Sequence, residues 1–239
     1  MARLPRLYVP DMPQLATASF ARPLAGASEP TPARQLDLLT GWFAETVRDL
    51  NASIHGWVLL TDRLTILATP AAAQDLSRLF QAFGLRYATR LQHGRVYSGR
   101  YRSAIVQPGA WTIPALVWLE TLPQRLLGLE RAESWPWSSA ASHIGAPAIP
   151  VPLTDHPDYW RAGNTPFERQ ARHRERLAAG LSASTAAQIE KALFGQWALG
   201  DADFLEKLGT QANRRATPAA RGRPRKPAAP ADDTPLPPR

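Results

Sequence analysis

Three arginines that lie close together in the sequence, Arg95, Arg100 and Arg102, have the chemistry of a phosphate-binding surface. They belong to the segment RVYSGRYRSAIV at 95–106, whose aromatic and β-branched residues predict a strand. Arg100 and Arg102 flank Tyr101 and would share one face of that strand, where guanidinium groups can hold phosphate oxygens in pairs. The alternative for the same residues is a solvated outer face with salt bridges.

A second basic cluster lies near the C-terminus and consists of Arg221-Gly222-Arg223-Pro224-Arg225-Lys226. It is similar to the core of an AT-hook. Glycine lets the backbone lie on the floor of a DNA groove, and proline keeps the chain extended. The arginines can then enter the narrow minor groove of A·T tracts, where the potential is most negative. The alternative is a generic basic tail that binds any polyanion or keeps the protein in solution.

The residues that could carry out catalysis are poorly arranged. No two histidines are separated by two, three or four positions, so we expect structural or surface roles for all five and predict no metal ion and no cofactor: His55, His93, His143, His156 and His173. The absence of cysteine excludes thiolate sites. Tyr97 and Tyr101 are possible nucleophiles, but no neighbouring residue would activate a phenol, and packing against the sheet is the expected role.

Composition narrows the class of protein. The 239 residues include 44% hydrophobic residues, enough for a globular core, and the net charge is +8. Residues 210–239 hold seven of the 28 Lys and Arg residues but only two of the 20 Asp and Glu residues. This charge distribution predicts an anionic polymer as partner. Because the sequence contains neither a long apolar segment nor a signal peptide, we expect a cytoplasmic, nucleoid-associated protein without membrane contact.

The order of the predicted elements gives the fold class. Strands are expected at Arg6–Val9, Trp57–Leu60, Leu64–Leu67 and 95–106, and helices in the first part of the chain at 33–50, Ala71–Leu91, Ala115–Leu122 and Leu126–Ala132. This order predicts an α+β fold with one antiparallel sheet and helices packed on a face. Three further helices are expected at Pro166–Ala179, Ser184–Phe194 and Ala202–Leu208.

The chain therefore divides into three predicted parts. Residues 1–145 form the sheet-containing domain, within which residues 10–33, rich in Pro, Ala and Ser, are expected to be loop or disordered. Residues 146–209 form a small helical region. Residues 210–239 form a disordered basic tail, because they show no apolar periodicity.

Several segments together resemble the REP-associated tyrosine transposases, a family of single-strand DNA transposases. They are MARLPRLYVP at 1–10, GWVLLTDRLTILATP at 56–70, GRYRS at 99–103, WPWSS at 135–139, HPDYW at 156–160, GQWALGDADF at 195–204 and RGRPRK at 221–226. The resemblance implies a ferredoxin-like sheet and the cutting and joining of single-stranded DNA near hairpin-forming repeats. In that family a metal ion held by a His–hydrophobic–His triplet activates the attack of a tyrosine.

The sequence departs from that family at its catalytic positions. The triplet falls on Arg63, Leu64 and Thr65, and arginine has no lone pair for a metal ion. On the helix where the resemblance places the nucleophilic tyrosine, the aromatic residues are Trp111 and Trp118, and indole has no hydroxyl group. These two tryptophans could stack on an unpaired base, but filling of the core is favoured. Arg63 could offer phosphate a fixed cation in place of the metal ion.

The resemblance and the departures predict a DNA-binding protein that is derived from such a transposase and is catalytically inactive. Its body would bind single-stranded or hairpin DNA, and its tail would bind A·T-rich duplex. One alternative is an active transposase with a rebuilt site that uses Tyr97 or Tyr101, and another is a decayed remnant without function. The sequence leaves a homodimer open.

Overall fold

The structure is a computed structural model that describes residues 5–26, 30–91 and 94–218. The basic cluster Arg221–Lys226 and His93 lie outside the described residues. None of the helices in the described ranges is long and apolar enough to cross a membrane.

A four-stranded antiparallel sheet organises the molecule. Its strands are β1 (Gln14–Ser19), β2 (Ser53–Leu59), β3 (Arg63–Thr69) and β4 (Arg102–Ile105), and their order in the sheet is β2-β3-β1-β4. Helix α1 (Ala33–Asp49) connects β1 to β2, and α2 (Asp75–Leu91) connects β3 to β4. This confirms the predicted α+β fold with a ferredoxin-like sheet.

The first strand is not where the sequence predicted it. Residues 6–9 form no strand, and β1 instead occupies part of the segment 10–33 that we expected to be loop or disordered. Five of the six β1 residues are buried, and the strand pairs with both β3 and β4. The strand contains two alanines, a residue type that is depleted in strands, and Thr17 is its only β-branched residue. Its sequence QLATAS therefore resembled a linker.

The strand predicted at 95–106 is also shorter than expected, since only Arg102–Ile105 form β4. Its ladder with β1 runs from the pair Thr17–Arg102 to the pair Gln14–Ile105. Arg100 precedes the strand, so the expected alternation of Arg100 and Arg102 along one strand is wrong.

The two connecting helices cover one face of the sheet. The apolar stripe of α1 packs on β2, where the rings of Phe43 and Trp57 have centroids 5.7 Å apart. Phe83 of α2 packs against Phe43 from the other side, with ring centroids 6.1 Å apart. Burial of these rings is worth about 1.5–3 kcal/mol each, so the face is an effective core.

Helices from the second half of the chain cover the opposite face. α3 (Thr112–Glu120) lies so close to β2 that a Cβ atom on Gly56 would be 2.3 Å from Leu116 Cδ1. α3 begins three residues before the predicted start because Pro114 lies in its first turn, where the missing N–H has no helical partner to lose. α4 (Leu122–Leu127) ends at Gly128, which has φ 70°. The helix predicted at Leu126–Ala132 is therefore wrong.

The WPWSS segment extends the sheet at its outer edge. Leu59 N–H donates to the Trp137 carbonyl at 2.9 Å, and Ser139 N–H donates to the Trp57 carbonyl at 2.9 Å. The indole Nε1 of Trp135 donates to the Leu59 carbonyl at 2.9 Å. These bonds satisfy the free edge of β2, and the chain then enters α5 (Ala140–His143) and α6 (Pro157–Trp160).

The C-terminal helices follow the sequence closely. α7 (Pro166–Ala179) begins with a capping box in which Thr165 and Glu168 bond to each other's backbone N–H groups. α8 (Ala183–Gly195) is capped by Ser182, whose side chain accepts from the Thr185 N–H. Ile189 and Leu193 of α8 belong to the same hydrophobic cluster as the sheet residues, so segment 146–209 shares its core with the sheet.

The chain remains packed beyond the expected start of the tail. α9 (Ala202–Gln211) contains residue 210, and Ala198 N–H donates to the Ala216 carbonyl at 2.9 Å. Asn213 accepts from Tyr8 N–H at 3.2 Å. Residues 212–218, here named the C-terminal strap, therefore run beside the N-terminal segment, and the boundary drawn at residue 210 lies inside a helix.

Candidate nucleic-acid interface

An open cleft of about 840 Å³ lies between the start of β4, the end of α8 and the C-terminal strap. It brings together three of the arginines that the sequence singled out, Arg95, Arg100 and Arg102. A fourth arginine, Arg214, comes from the strap. We name this site the arginine cleft.

Arg102 is positioned by the sheet. It is the first residue of β4, with an exposed side chain that reaches the end of α8. Its Nη1 donates to the Phe194 carbonyl at 3.0 Å, and its Cζ lies 5.7 Å from the centroid of the Phe194 ring. A cation at the C-terminus of a helix is favoured by the helix dipole. Arg102 therefore joins β4 to α8 and keeps further N–H donors for a ligand.

Arg95 and Arg100 differ in how much of their donor capacity is in use. Arg95 donates from Nε to the Tyr97 carbonyl at 3.0 Å and from Nη2 to the Ser98 carbonyl at 2.7 Å, which stiffens the loop before β4. Arg100 makes no hydrogen bond or ion pair within the described residues, and its side chain is exposed. As far as the described residues are concerned, all five N–H donors of Arg100 remain available for an anion.

Sequence reasoning missed Arg214 as a site residue, because the sequence does not tell that the chain folds back. Asn213 holds the strap by accepting from Tyr8 N–H and by donating from Nδ2 to the Arg6 carbonyl at 2.9 Å. Arg214 then donates from Nη2 to the Gln196 carbonyl, and its Cζ lies 5.3 Å from the centroid of the Trp197 ring. The only signal in the sequence was the basic composition of this segment.

The arginine cleft is positively charged. Four guanidinium groups line it, and none of the lining residues in the described part of the chain is an aspartate or glutamate. The carbonyl groups at the end of α8 offset part of this charge, since Arg102 and Arg214 bond to them. The remaining positive potential suits a polyanion with regularly spaced phosphates.

Arg63 lies away from this cleft. Its Nε is 3.0 Å from both carboxylate oxygens of Asp62, and its Nη2 is 2.6 Å from Oδ2. The hydrogen bond to Asp62 is the main cause of the raised pKa of Arg63. Part of the charge that we expected Arg63 to offer to phosphate is already neutralised.

Packing holds the aromatic residues that the sequence singled out near the expected catalytic positions. Trp118 is 3% exposed, and its Nε1 donates to Glu190 Oε1 at 3.3 Å, in agreement with the core-filling role. Tyr97 donates its hydroxyl proton to the Phe80 carbonyl at 2.8 Å, and burial raises its pKa far above the usual range. Burial also raises the pKa of Tyr101. Among residues 5–26, 30–91 and 94–218, the hydroxyl of Tyr97 bonds to a carbonyl and that of Tyr101 to the Ser77 hydroxyl, and neither partner is a base.

Three side chains that are distant in the sequence meet in the interior. Glu120 of α3 accepts from His143 Nδ1 at 2.6 Å and from His173 Nε2 at 2.6 Å, and Ser139 donates to Glu120 Oε1 at 2.5 Å. Glu120 and His173 are completely buried, and His143 is 3% exposed. Sequence spacing could not reveal this cluster, because its residues come from different helices.

The charges in this cluster stabilise one another. Burial alone would raise the pKa of Glu120, but His143 and His173 outweigh it and hold this pKa far below its usual range. Burial alone would lower the pKa of His143, but the Glu120 carboxylate reverses the effect and the net result is a raised pKa. Two imidazoles and a carboxylate can also bind a metal ion such as Zn²⁺. Here their ligand atoms hydrogen-bond to one another, and His173 Nδ1 lacks the polar neighbour that usually orients a metal-bound imidazole.

Comparison with solved structures finds the same fold in a REP-associated tyrosine transposase bound to a REP hairpin. The TM-score is 0.52 at 14% sequence identity, and the superposition covers 65% of this chain and 95% of the transposase chain. No family model and no curated protein matches this chain. The similarity establishes a shared fold.

Proposed function

We propose that this chain is a DNA-binding protein derived from a REP-associated tyrosine transposase and that it does not cleave DNA. The observation that carries the proposal is the arginine cleft, where four guanidinium groups face one opening and no described residue of the lining is a carboxylate. The solved transposase with the same fold is bound to a DNA hairpin, which makes single-stranded or hairpin DNA the first ligand to test for the cleft.

The absence of cleavage is proposed because each catalytic group of such a transposase lacks a counterpart at the expected place. Arg63 and Thr65 cannot form a metal-binding pair, since one is a cation and the other a buried hydroxyl. Trp118 has no hydroxyl group. An active enzyme with Tyr97 or Tyr101 as nucleophile is less favoured, because burial raises the pKa of both phenols.

The proposal includes a second DNA contact through the tail. Arg221–Lys226 lies outside the described residues, so this part rests on the sequence motif alone. The C-terminal strap ends at residue 218 and contributes Arg214 to the arginine cleft. A tail that begins there would start close to the DNA held by the cleft, and two linked contacts bind more tightly than either alone.

The test is a titration of a fluorescent DNA hairpin with a single-stranded extension, followed by anisotropy at several salt concentrations. Arg100→Ala should weaken binding and flatten the slope of log K against log salt by roughly 0.7 for each single-strand phosphate contact that is lost. Arg172→Ala is the matched control, because Arg172 is exposed on α7 and does not line the cleft. Equal effects of the two substitutions would contradict a DNA-binding role of the cleft.

A further inference from the structure

Two aromatic side chains line the arginine cleft, Trp197 and Tyr97, and the hydroxyl group of Tyr97 is already bonded to the Phe80 carbonyl. Trp197 lines the cleft and is partly buried, and it follows Gln196, whose left-handed backbone with φ 59° ends α8. Of the two tryptophans that the sequence offered as stacking residues, Trp118 is buried in the core and Trp111 is half-buried, and neither lines the cleft. Trp197 is therefore the tryptophan whose ring and position suit contact with a molecule in the cleft.

The indole of Trp197 is held in place before any ligand arrives. Its backbone N–H donates to the Ala192 carbonyl at 2.9 Å, which ties it to the last turn of α8. The ring packs so close to Gly195 that a Cβ atom there would be 2.4 Å from Trp197 Cδ1. A fixed aromatic ring loses little conformational entropy when a flat ligand stacks on it.

The neighbours of this ring combine apolar and cationic surface. Trp197 also lines a second cavity of about 220 Å³, so the ring forms a wall between two openings. Arg214 Cζ lies 5.3 Å from the centroid of the Trp197 ring, within the range of a cation–π contact. Arg100 and Arg102 line the same cleft. A nucleotide is a ligand that presents a flat base and a phosphate together.

We propose that the arginine cleft contains a pocket for an unpaired nucleobase, which stacks on Trp197 while its flanking phosphates bind Arg100 and Arg102. This inference rests on the proposed DNA-binding function, and it adds a preference for unpaired bases over duplex DNA. In a duplex each base is already stacked and paired, so only an unpaired base can present its face to Trp197. The cleft thereby selects single-stranded segments over duplex DNA, which the arginines alone would bind through phosphates.

The experiment compares a single-stranded oligonucleotide, a duplex of the same length and a strand with several abasic sites. Wild-type protein should lose at least about fivefold in affinity on the abasic strand, which keeps the phosphates but offers fewer bases for stacking. Trp197→Ala should lose about as much on the intact strand and be insensitive to abasic sites. Trp197→Phe should recover most of the affinity, since a phenyl ring also stacks.

Trp160→Ala serves as the control, because Trp160 is 54% exposed and does not line the cleft. It should leave all three affinities unchanged. The abasic comparison uses the wild-type chain and stays decisive even if Trp197→Ala folds poorly. Wild-type binding that ignores abasic sites, or a Trp197→Ala variant that weakens duplex and single strand equally, overturns the pocket. If Arg100→Ala does not weaken DNA binding at all, the proposed function itself is overturned instead.

Discussion

The hydroxyl groups of Thr17 and Thr65 lie 2.8 Å apart on paired residues of β1 and β3. Both residues are buried, at 5% and 1% exposure. A hydroxyl pair that satisfies itself inside the sheet has no need of a metal ion, and it leaves no imidazole at the position where the resemblance places one.

We predict that the protein neither nicks single-stranded hairpin DNA nor forms a covalent adduct with it in Mg²⁺ or Mn²⁺. The reason is that Arg63, Thr65 and Trp118 offer neither a pair of metal ligands nor a hydroxyl nucleophile, groups that supply several kcal/mol of barrier lowering. Denaturing gels of protein and labelled hairpin measure this directly. A shifted covalent band that disappears in Tyr97→Phe or Tyr101→Phe would establish the rebuilt site instead.

We predict that Asp62→Asn strengthens binding of single-stranded DNA and that Arg63→Ala weakens it less than Arg100→Ala does. The reason is the ion pair with Asp62, which neutralises part of the Arg63 charge, whereas Arg100 has no partner within the described residues. Salt-dependent anisotropy measures the three affinities. Glu175→Gln, an exposed substitution on α7 with the same charge change as Asp62→Asn, is the control. If it strengthens binding equally, only net charge matters.

We predict that Glu120→Gln lowers the free energy of unfolding by about 3 kcal/mol, since it leaves a buried protonated imidazole without its counter-charge. Urea denaturation at pH 6 measures this loss. Glu175→Gln, an exposed substitution on α7, should change stability by less than about 0.5 kcal/mol. A similar small loss for Glu120→Gln would contradict the ion pair between Glu120 and His143.

The same cluster predicts a dependence of stability on pH. The pKa of His143 is raised in the folded state, so its contribution is complete below the unfolded value of about 6.5 and is lost as pH rises through the folded value. The stability difference between wild type and His143→Gln should therefore narrow above pH 6.5.

The pKa of His55 is lowered by burial to about 4, which destabilises the folded state as pH falls below 6.5. The His55→Gln variant should therefore lose less stability than wild type as pH falls from 6.5 towards 4.

We predict that deletion of residues 219–239 reduces affinity for A·T-rich duplex DNA and removes the preference for A·T tracts. The deletion spares the C-terminal strap, which packs against the N-terminal segment, so the melting temperature should stay within about 1 °C. Competition between A·T-rich and G·C-rich duplexes measures the preference. Equal binding of A·T-rich DNA by the full chain and the deletion variant would reduce the tail to a solubilising extension.

The sequence by itself determined the elements whose signals are local. Thr165, Pro166 and Glu168 mark the start of α7 because a capping box needs only four neighbouring residues. α1 and α2 were predicted near their observed positions, because their apolar residues recur at helical spacing. The departure from the catalytic pattern at Arg63, Thr65 and Trp118 was also visible, since the identity of a side chain limits its chemistry wherever it lies.

Only the tertiary structure decided the features that depend on contacts between distant segments. β1 was hidden because QLATAS contains few residues that favour strands, and its place in the sheet is fixed by pairing with the distant strands β3 and β4. Glu120, His143 and His173 meet because α3, α5 and α7 pack together, which no spacing in the sequence encodes. Arg214 and Trp197 line the same cleft as the predicted arginines because of such contacts between distant segments. The chain folds back over α8, and the free energy that holds it there comes from nonlocal burial and hydrogen bonds.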